Sequence, residues 1–254
     1  MTGGRSLVRR PRSTAARWRL LGIPHAGAGA AALSSWFAAA PADCEVVLVR
    51  LPGRESRLGE SPPESAQAAA AAVLDDVREL PELPMVVYGY SMGALVAYEL
   101  TRLASRNGGP EPVLLAVGGH EAPHLPRRHA AIHDLPEEQF VAALRALGGT
   151  PEQVLTMPEL FALLAPTLRA DLRIVETYRH AHPTPLTVPI STYAGEHDPD
   201  LDHGAVGAWA HLTTATYRQR RFPGGHFFFL ESGGADLMSS VIADSLRHLP
   251  PRGP

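Results

Sequence analysis

The run Gly89-Tyr90-Ser91-Met92-Gly93 sets a serine between two glycines in the spacing G-x-S-x-G. The apolar, β-prone run Pro84-Met85-Val86-Val87-Tyr88 precedes it, and Ala94–Leu100, free of Gly and Pro, follows. A strand that turns sharply into a helix leaves such a serine exposed above the sheet, in a strained conformation that the flanking glycines permit. The pattern predicts Ser91 as a nucleophile. The plainer reading of the same residues is a tight turn that happens to contain serine. A serine hydroxyl is a poor nucleophile at neutral pH, so a base and a group to orient it are also required.

In a strand-turn-helix setting the order along the chain is serine, acid, histidine. Pro189–Ala194 reads as a strand that opens into Gly195-Glu196-His197-Asp198-Pro199, so Asp198 is predicted just past a strand end. Asp200 and Asp202 lie close enough to be alternatives. Thr216–Phe222 has partial strand character and breaks at Pro223-Gly224-Gly225-His226. His226, one of 12 histidines, is predicted as general base and then acid, with Asp198 holding its tautomer and stabilising its cation. An oxyanion hole needs backbone N–H groups. Met92, the residue after the nucleophile, is one donor. The other is expected from Pro24-His25-Ala26-Gly27-Ala28-Gly29, whose small residues allow close approach to a carbonyl. An ordinary glycine-rich loop is the alternative there. A phosphate loop is disfavoured, because the spacing matches neither G-x-G-x-x-G nor a P-loop.

The elements that must position these groups alternate. Arg19–Ile23, the apolar run Val46–Val49, Pro84–Tyr88, Val113–Val117, Pro189–Ala194 and Thr216–Phe222 read as strands, and alanine-rich Ser65–Leu80 as a helix. Strand-helix alternation predicts an α/β fold, a mostly parallel sheet covered on both faces. From about His120 to Leu186 only helical patterns occur, such as Glu137–Leu147 and Glu159–Tyr178. The expected organisation is a core of residues 17–119 and 186–250, with residues 120–185 inserted as a helical lid. Extra helical packing without gating is the other reading. Residues 1–16, rich in arginine, are expected to form a disordered arm.

Five stretches together resemble the type II thioesterases, stand-alone α/β-hydrolases that accompany polyketide and non-ribosomal peptide synthases. They are Pro24-His25-Ala26-Gly27, Leu51-Pro52-Gly53-Arg54-Glu55-Ser56-Arg57, Gly89–Ala94, Gly195–Pro199 and Arg221–Phe228. The P-G-R-E and P-G-G-H-F-F pieces are far more specific than the serine motif. The resemblance covers roughly Arg17–Leu249. It implies hydrolysis of acyl thioesters on the phosphopantetheine arm of an acyl or peptidyl carrier protein, which removes stalled or misprimed groups. It implies Ser91, Asp198 and His226 as triad, Ala26 and Met92 amides as oxyanion donors, and no metal or organic cofactor. Two positions depart from the family pattern: Tyr90 stands where histidine is usual, and Ala28 where a second glycine is usual.

Composition sets outer bounds. A chain of 254 residues is enough for one hydrolase-sized domain, and a net charge of -3 argues for neither nucleic acid nor an anionic membrane. All 23 basic residues are arginine, which excludes a catalytic lysine. The single Cys44 cannot form an internal disulfide, which suits a reducing cytoplasm; at the head of an apolar run it reads as a core or strand-edge residue. Arg5, Arg9, Arg10 and Arg12 ahead of an uncharged stretch ending at Ala40 superficially suggest a signal peptide. Pro24, His25 and the glycines interrupt it, so export is not expected. No apolar run spans a bilayer. Phe227, Phe228 and Phe229 are expected mostly in the core, and Arg54, Arg57, Arg127 and Arg128 read as solvated surface cations, with contact to an acidic carrier protein as the alternative. A monomer is the default. An esterase or lipase acting on free oxygen esters is the alternative enzyme, and a catalytically silent hydrolase fold used for binding is a further alternative.

Overall fold

Side chains along Trp18–Ile23 alternate between two cores, Trp18 and Leu20 on one face and Leu21 and Ile23 on the other. Met85–Tyr90 repeats the pattern, with Met85 and Val87 against Val86, Tyr88 and Tyr90. A strand shows opposite faces with period two, so strands apolar on both faces must lie inside a sheet covered on both sides.

The computed structural model describes residues 6–10, 15–106, 108–181, 184–231 and 233–251. Its strands are β1 (Leu7–Arg9), β2 (Trp18–Ile23), β3 (Cys44–Val49), β4 (Met85–Tyr90), β5 (Leu114–Gly118), β6 (Ile190–Gly195) and β7 (Tyr217–Phe222). They form one sheet in the order β1-β3-β2-β4-β5-β6-β7, parallel except for β1. The helices are α1 (Trp36–Ala39), α2 (Ala66–Arg78), α3 (Met92–Arg106), α4 (Glu137–Leu147), α5 (Glu152–Thr156), α6 (Pro158–Thr177), α7 (His203–Gly207), α8 (Phe228–Glu231) and α9 (Gly234–Ser245). Helix α2 starts where the Ser65 hydroxyl accepts from the Ala68 N–H at 3.1 Å, a cap that contributes about 1 kcal/mol. Helices α2 and α3 cover one face of the sheet and α9 the other.

Between β5 and β6 the regular elements are helical. Phe140, Leu144, Leu155, Phe161, Ala165 and Leu168 of α4, α5 and α6 gather into a small core of their own.

The expected disorder of the N-terminal arm does not hold for Leu7–Arg9. Leu7 pairs with Val49 and Arg9 with Val47, antiparallel, and Leu7 is buried in the core. The edge of β3 offers free backbone groups and an apolar face, and three residues suffice to use both. The Asp76 carboxylate accepts from the Ser6 N–H at 2.7 Å and fixes the entry. Residues 1–5 and 11–14 of the arm lie outside the described residues.

Candidate active site

Strands β2, β4, β5, β6 and β7 run parallel, so the loops that leave their carboxyl ends share one rim. Ser91 follows β4 directly and has φ 53°, one of two non-glycine residues in the left-handed region among the described residues. A Cβ on Gly89 would lie 2.0 Å from the Gly93 carbonyl oxygen, and one on Gly93 would lie 2.3 Å from the Ile23 oxygen. Only glycine fits at either position. The Ser91 N–H donates to the Gly118 carbonyl at 2.8 Å, which ties the elbow to the end of β5. That leaves Ser91 half-buried with its neighbours fixed.

The acid and base loops lock onto each other through backbone. The Glu196 N–H donates to Phe222 O at 2.8 Å and the His197 N–H to Gly224 O at 2.9 Å. A Cβ on Gly195 would meet the Gly225 oxygen at 2.3 Å, so glycine is required where the loops touch. Asp198 Oδ2 then lies 2.7 Å from His226 Nδ1, with the Asp198 side chain fully enclosed and that of His226 14% exposed. The neighbouring acids do other work. Asp200 donates its own N–H to Asp198 Oδ1, and Asp202 caps α7 by accepting from Ala205 N–H. Of the three acids, Asp198 is the one bonded to His226. Hydrogen bonds among the described residues do not include one between Ser91 Oγ and His226. The two are linked instead through Tyr90, whose hydroxyl donates to the His226 carbonyl at 2.5 Å. Asp198, Asp200 and His226 each bring a ligand atom within 4.8 Å of the others, the one such grouping among the described residues. Two of those three side chains are already bonded to each other.

Met92 opens α3, so its N–H is among the donors a helix leaves without an internal acceptor. In the loop after β2 the Gly27 N–H donates to Asp171 Oδ2 at 2.7 Å and the Ala28 N–H to His25 O at 3.2 Å. The Ala26 N–H has no acceptor among the described residues. His25 is 7% exposed and sits edge-on to Phe227 and Phe229 at 5.2 and 5.8 Å. Burial, reinforced by the nearby His226, lowers its pKa from the ordinary 6.5 to about 4, so it is a neutral packing residue. Phe228 is in the core as expected, while Phe227 and Phe229 are half-buried beside His226 and Tyr90. Cys44, at the head of β3, is half-buried and its thiol is pushed up to about 12 by burial, which keeps it an inert thiol.

The role of the P-G-R-E stretch is a correction. Arg54 is 4% exposed and forms a two-pronged pair with Asp171 of α6, both bonds 2.8 Å. The same guanidinium donates to the Ala28 carbonyl at 2.9 Å. Glu55 reaches back to accept from the Ala31 N–H at 2.9 Å, and Thr167 of α6 donates to Gly53 O at 2.6 Å. Arg54 is thus an internal clamp between the loop after β2 and α6, unavailable to a partner. Arg57 is likewise spent on Ser6, the Arg50 carbonyl and Glu60. Arg127 lies 3.4 Å from Glu176, and Arg128 pairs with Glu121. Sequence reasoning missed Asp171 altogether. The available signal was an acid between Leu168 and Leu172, beside the apolar stripe of a helix.

Residues 19–246 match the thioesterase domain family model. The chain belongs to the thioesterase family. It is a hydrolase acting on thioesters, and the resemblance to type II thioesterases is borne out. It is 37% identical over 220 residues to the gramicidin S biosynthesis protein GrsT of Aneurinibacillus migulanus, covering 87% of this chain and 86% of GrsT. It is 34% identical over 212 residues to thioesterase PikA5 of Streptomyces venezuelae, covering 83% and 75% of the two chains. The solved type II thioesterase BorB of the borrelidin biosynthetic cluster superposes with a TM-score of 0.86 at 34% identity, over 97% of this thioesterase and all of BorB (100%). The expected α/β-hydrolase fold is borne out by the same superposition and by the sheet order. No helix among the described residues is long and apolar enough to cross a membrane.

Proposed function

We propose that this thioesterase clears acyl groups from the phosphopantetheine arm of acyl or peptidyl carrier proteins through an acyl-enzyme on Ser91. The observation that carries the reading is the 2.7 Å bond from Asp198 to His226 Nδ1, on the rim where Ser91 emerges with φ 53°. With Nδ1 committed to Asp198, the tautomer leaves Nε2 as the base for the Ser91 proton. Ser91 Oγ attacks the thioester carbon, and the Ala26 and Met92 N–H groups receive the developing oxyanion. His226 passes its proton to the departing pantetheine sulfur, and the C–S bond breaks. Water, deprotonated by His226, then attacks the acyl-serine ester; the acyl C–Oγ bond breaks, His226 returns the proton to Ser91 Oγ, and the acid leaves.

Several observations support the carrier-bound substrate. The similar proteins are named for gramicidin S biosynthesis and, as a type II thioesterase, for the borrelidin biosynthetic cluster. The helices between β5 and β6 stand over the rim, and the loop after α4 reaches Phe227: a Cβ on Gly149 would lie 2.2 Å from that ring. In this reading α4–α6 form the lid of residues 120–185 over the core of 17–119 and 186–250. The enzyme works as a cytoplasmic monomer without metal or organic cofactor.

The test is intact-mass analysis of a carrier protein loaded with a panel of acyl groups, before and after enzyme. Loss of the acyl mass with the wild type and retention with Ser91→Ala is the expected result. Turnover by Ser91→Ala, or a strong kcat/KM preference for matched oxygen esters, would replace this reading with another.

A further inference from the structure

Tyr90 is fully buried, occupies the last position of β4, and is covalently joined to Ser91. Its hydroxyl donates to the main-chain oxygen of His226 at 2.5 Å, across 136 positions of sequence. Its ring stands edge-on to the His226 imidazole at 5.6 Å and packs on Phe229 at 4.4 Å and Phe228 at 6.4 Å. The space for it is made by two glycines at the end of β5. A Cβ on Gly118 would fall 2.4 Å from the ring, and one on Gly119 would fall 2.5 Å from the ring and 3.0 Å from the hydroxyl. Gly119 also has φ 59°, so both its shape and its backbone keep the tyrosine site open. Burial holds the phenol's pKa far above the neutral range, so the group is a hydrogen-bond donor at every working pH.

Asp198 fixes Nδ1, and His197 N–H to Gly224 O fixes the start of the loop. Both bonds run between the loops after β6 and β7, and neither reaches the elbow. The Tyr90 hydroxyl does, because it bonds the base's own carbonyl to the residue next to the nucleophile.

We propose that Tyr90 is a positioning residue that sets the separation of His226 from Ser91 through its bond to the His226 carbonyl. The inference rests on the triad assigned above, and it deepens that assignment. The Ser91 proton crosses to His226 in the transition state, and a misplacement on the ångström scale at that step is costly.

The test compares wild type with Tyr90→Phe, which keeps the ring and removes one oxygen. The first readout needs no substrate: the downfield NMR resonance of the proton between His226 and Asp198, assigned by its loss in His226→Gln. The second is kcat and KM on an acyl-pantetheine thioester, with Tm alongside. In Tyr90→Phe the resonance is expected to broaden through exchange with water, and kcat to fall about tenfold with KM within about twofold. Tm stays within a few degrees. An unchanged resonance with unchanged kcat would overturn the proposal. So would a fall in kcat that tracks Tm while the resonance stays put, since that is lost packing alone. A wild type with no thioester turnover would instead sink the proposed function and leave the resonance test standing.

Discussion

The rim of the sheet and the helices above it are held by different means. At the rim the joints are backbone against backbone: Ser91 N–H to Gly118 O, Glu196 N–H to Phe222 O, His197 N–H to Gly224 O, with glycines where a Cβ would strike a carbonyl at 2.0 to 2.3 Å. Helix α6 is instead tied down by side chains. Asp171 reaches Arg54 and Gly27, Thr167 reaches Gly53, and Glu176 accepts from the N–H groups of Ile132 and His133 at 2.9 and 3.1 Å. Tyr178, just past α6, donates to buried Glu99 of α3 at 2.5 Å. Helix α5 is held to α4 at its surface by the exposed Arg145–Glu152 pair, side chains 49% and 59% exposed. Within the helical region α6 is tied to the loops of the sheet by buried polar side chains, while α4 and α5 join α6 through the apolar core of Phe140, Leu144, Leu155 and Phe161.

The largest effect expected from breaking this contrast is at Asp171. Asp171→Asn leaves the buried Arg54 guanidinium without its counter-charge, and loss of one partner from such a pair costs about 3–5 kcal/mol. Denaturant unfolding measures it directly. Removing the surface partner, Glu152→Gln, is expected to leave the unfolding stability nearly unchanged, because water solvates both groups of an exposed pair. A cost for Asp171→Asn below that of Glu152→Gln would show that α6 is not anchored as described.

A smaller effect sharpens the rim side. Folded His25 titrates near 4 against 6.5 unfolded, so above pH 6.5 neither state carries the proton and the packing is fully available. As pH falls from 6.5 toward 4 the unfolded chain takes up a proton that the folded chain refuses, and stability drains by about 3 kcal/mol. His25→Phe keeps a ring against Phe227 and Phe229 and removes the titration. Its unfolding free energy is expected to vary less than the wild type's over that window. Identical pH curves for the two would contradict a neutral, buried His25.

Joints made by backbone are local, and that decides what the sequence could reveal. The elbow and the acid and histidine loops each advertise themselves within five or six residues, because the glycines that the geometry demands sit beside the reacting group. The Ser91 turn and the Asp198–His226 contact were legible for that reason, as were the six parallel strands. The clamp was not. Arg54 and Asp171 are 117 positions apart and Gly27 and Asp171 are 144 apart, and nothing next to Arg54 distinguishes a buried fork from a surface cation. The Tyr90 bond to His226 was hidden in the same way: Tyr90 stands where histidine is usual, but a donor acting across 136 residues leaves no local mark. The β1 strand escaped because three residues are too few to show alternation.

The central claim is that Ser91 itself carries the acyl group. Rapid-quench digestion and mass mapping of the enzyme after mixing with an acyl-pantetheine thioester reads this directly. The acyl mass should appear on the peptide containing Ser91, decay as free acid accumulates, and be absent from Ser91→Ala. Acylation of another residue, or free acid formed at the wild-type rate by Ser91→Ala, would contradict it.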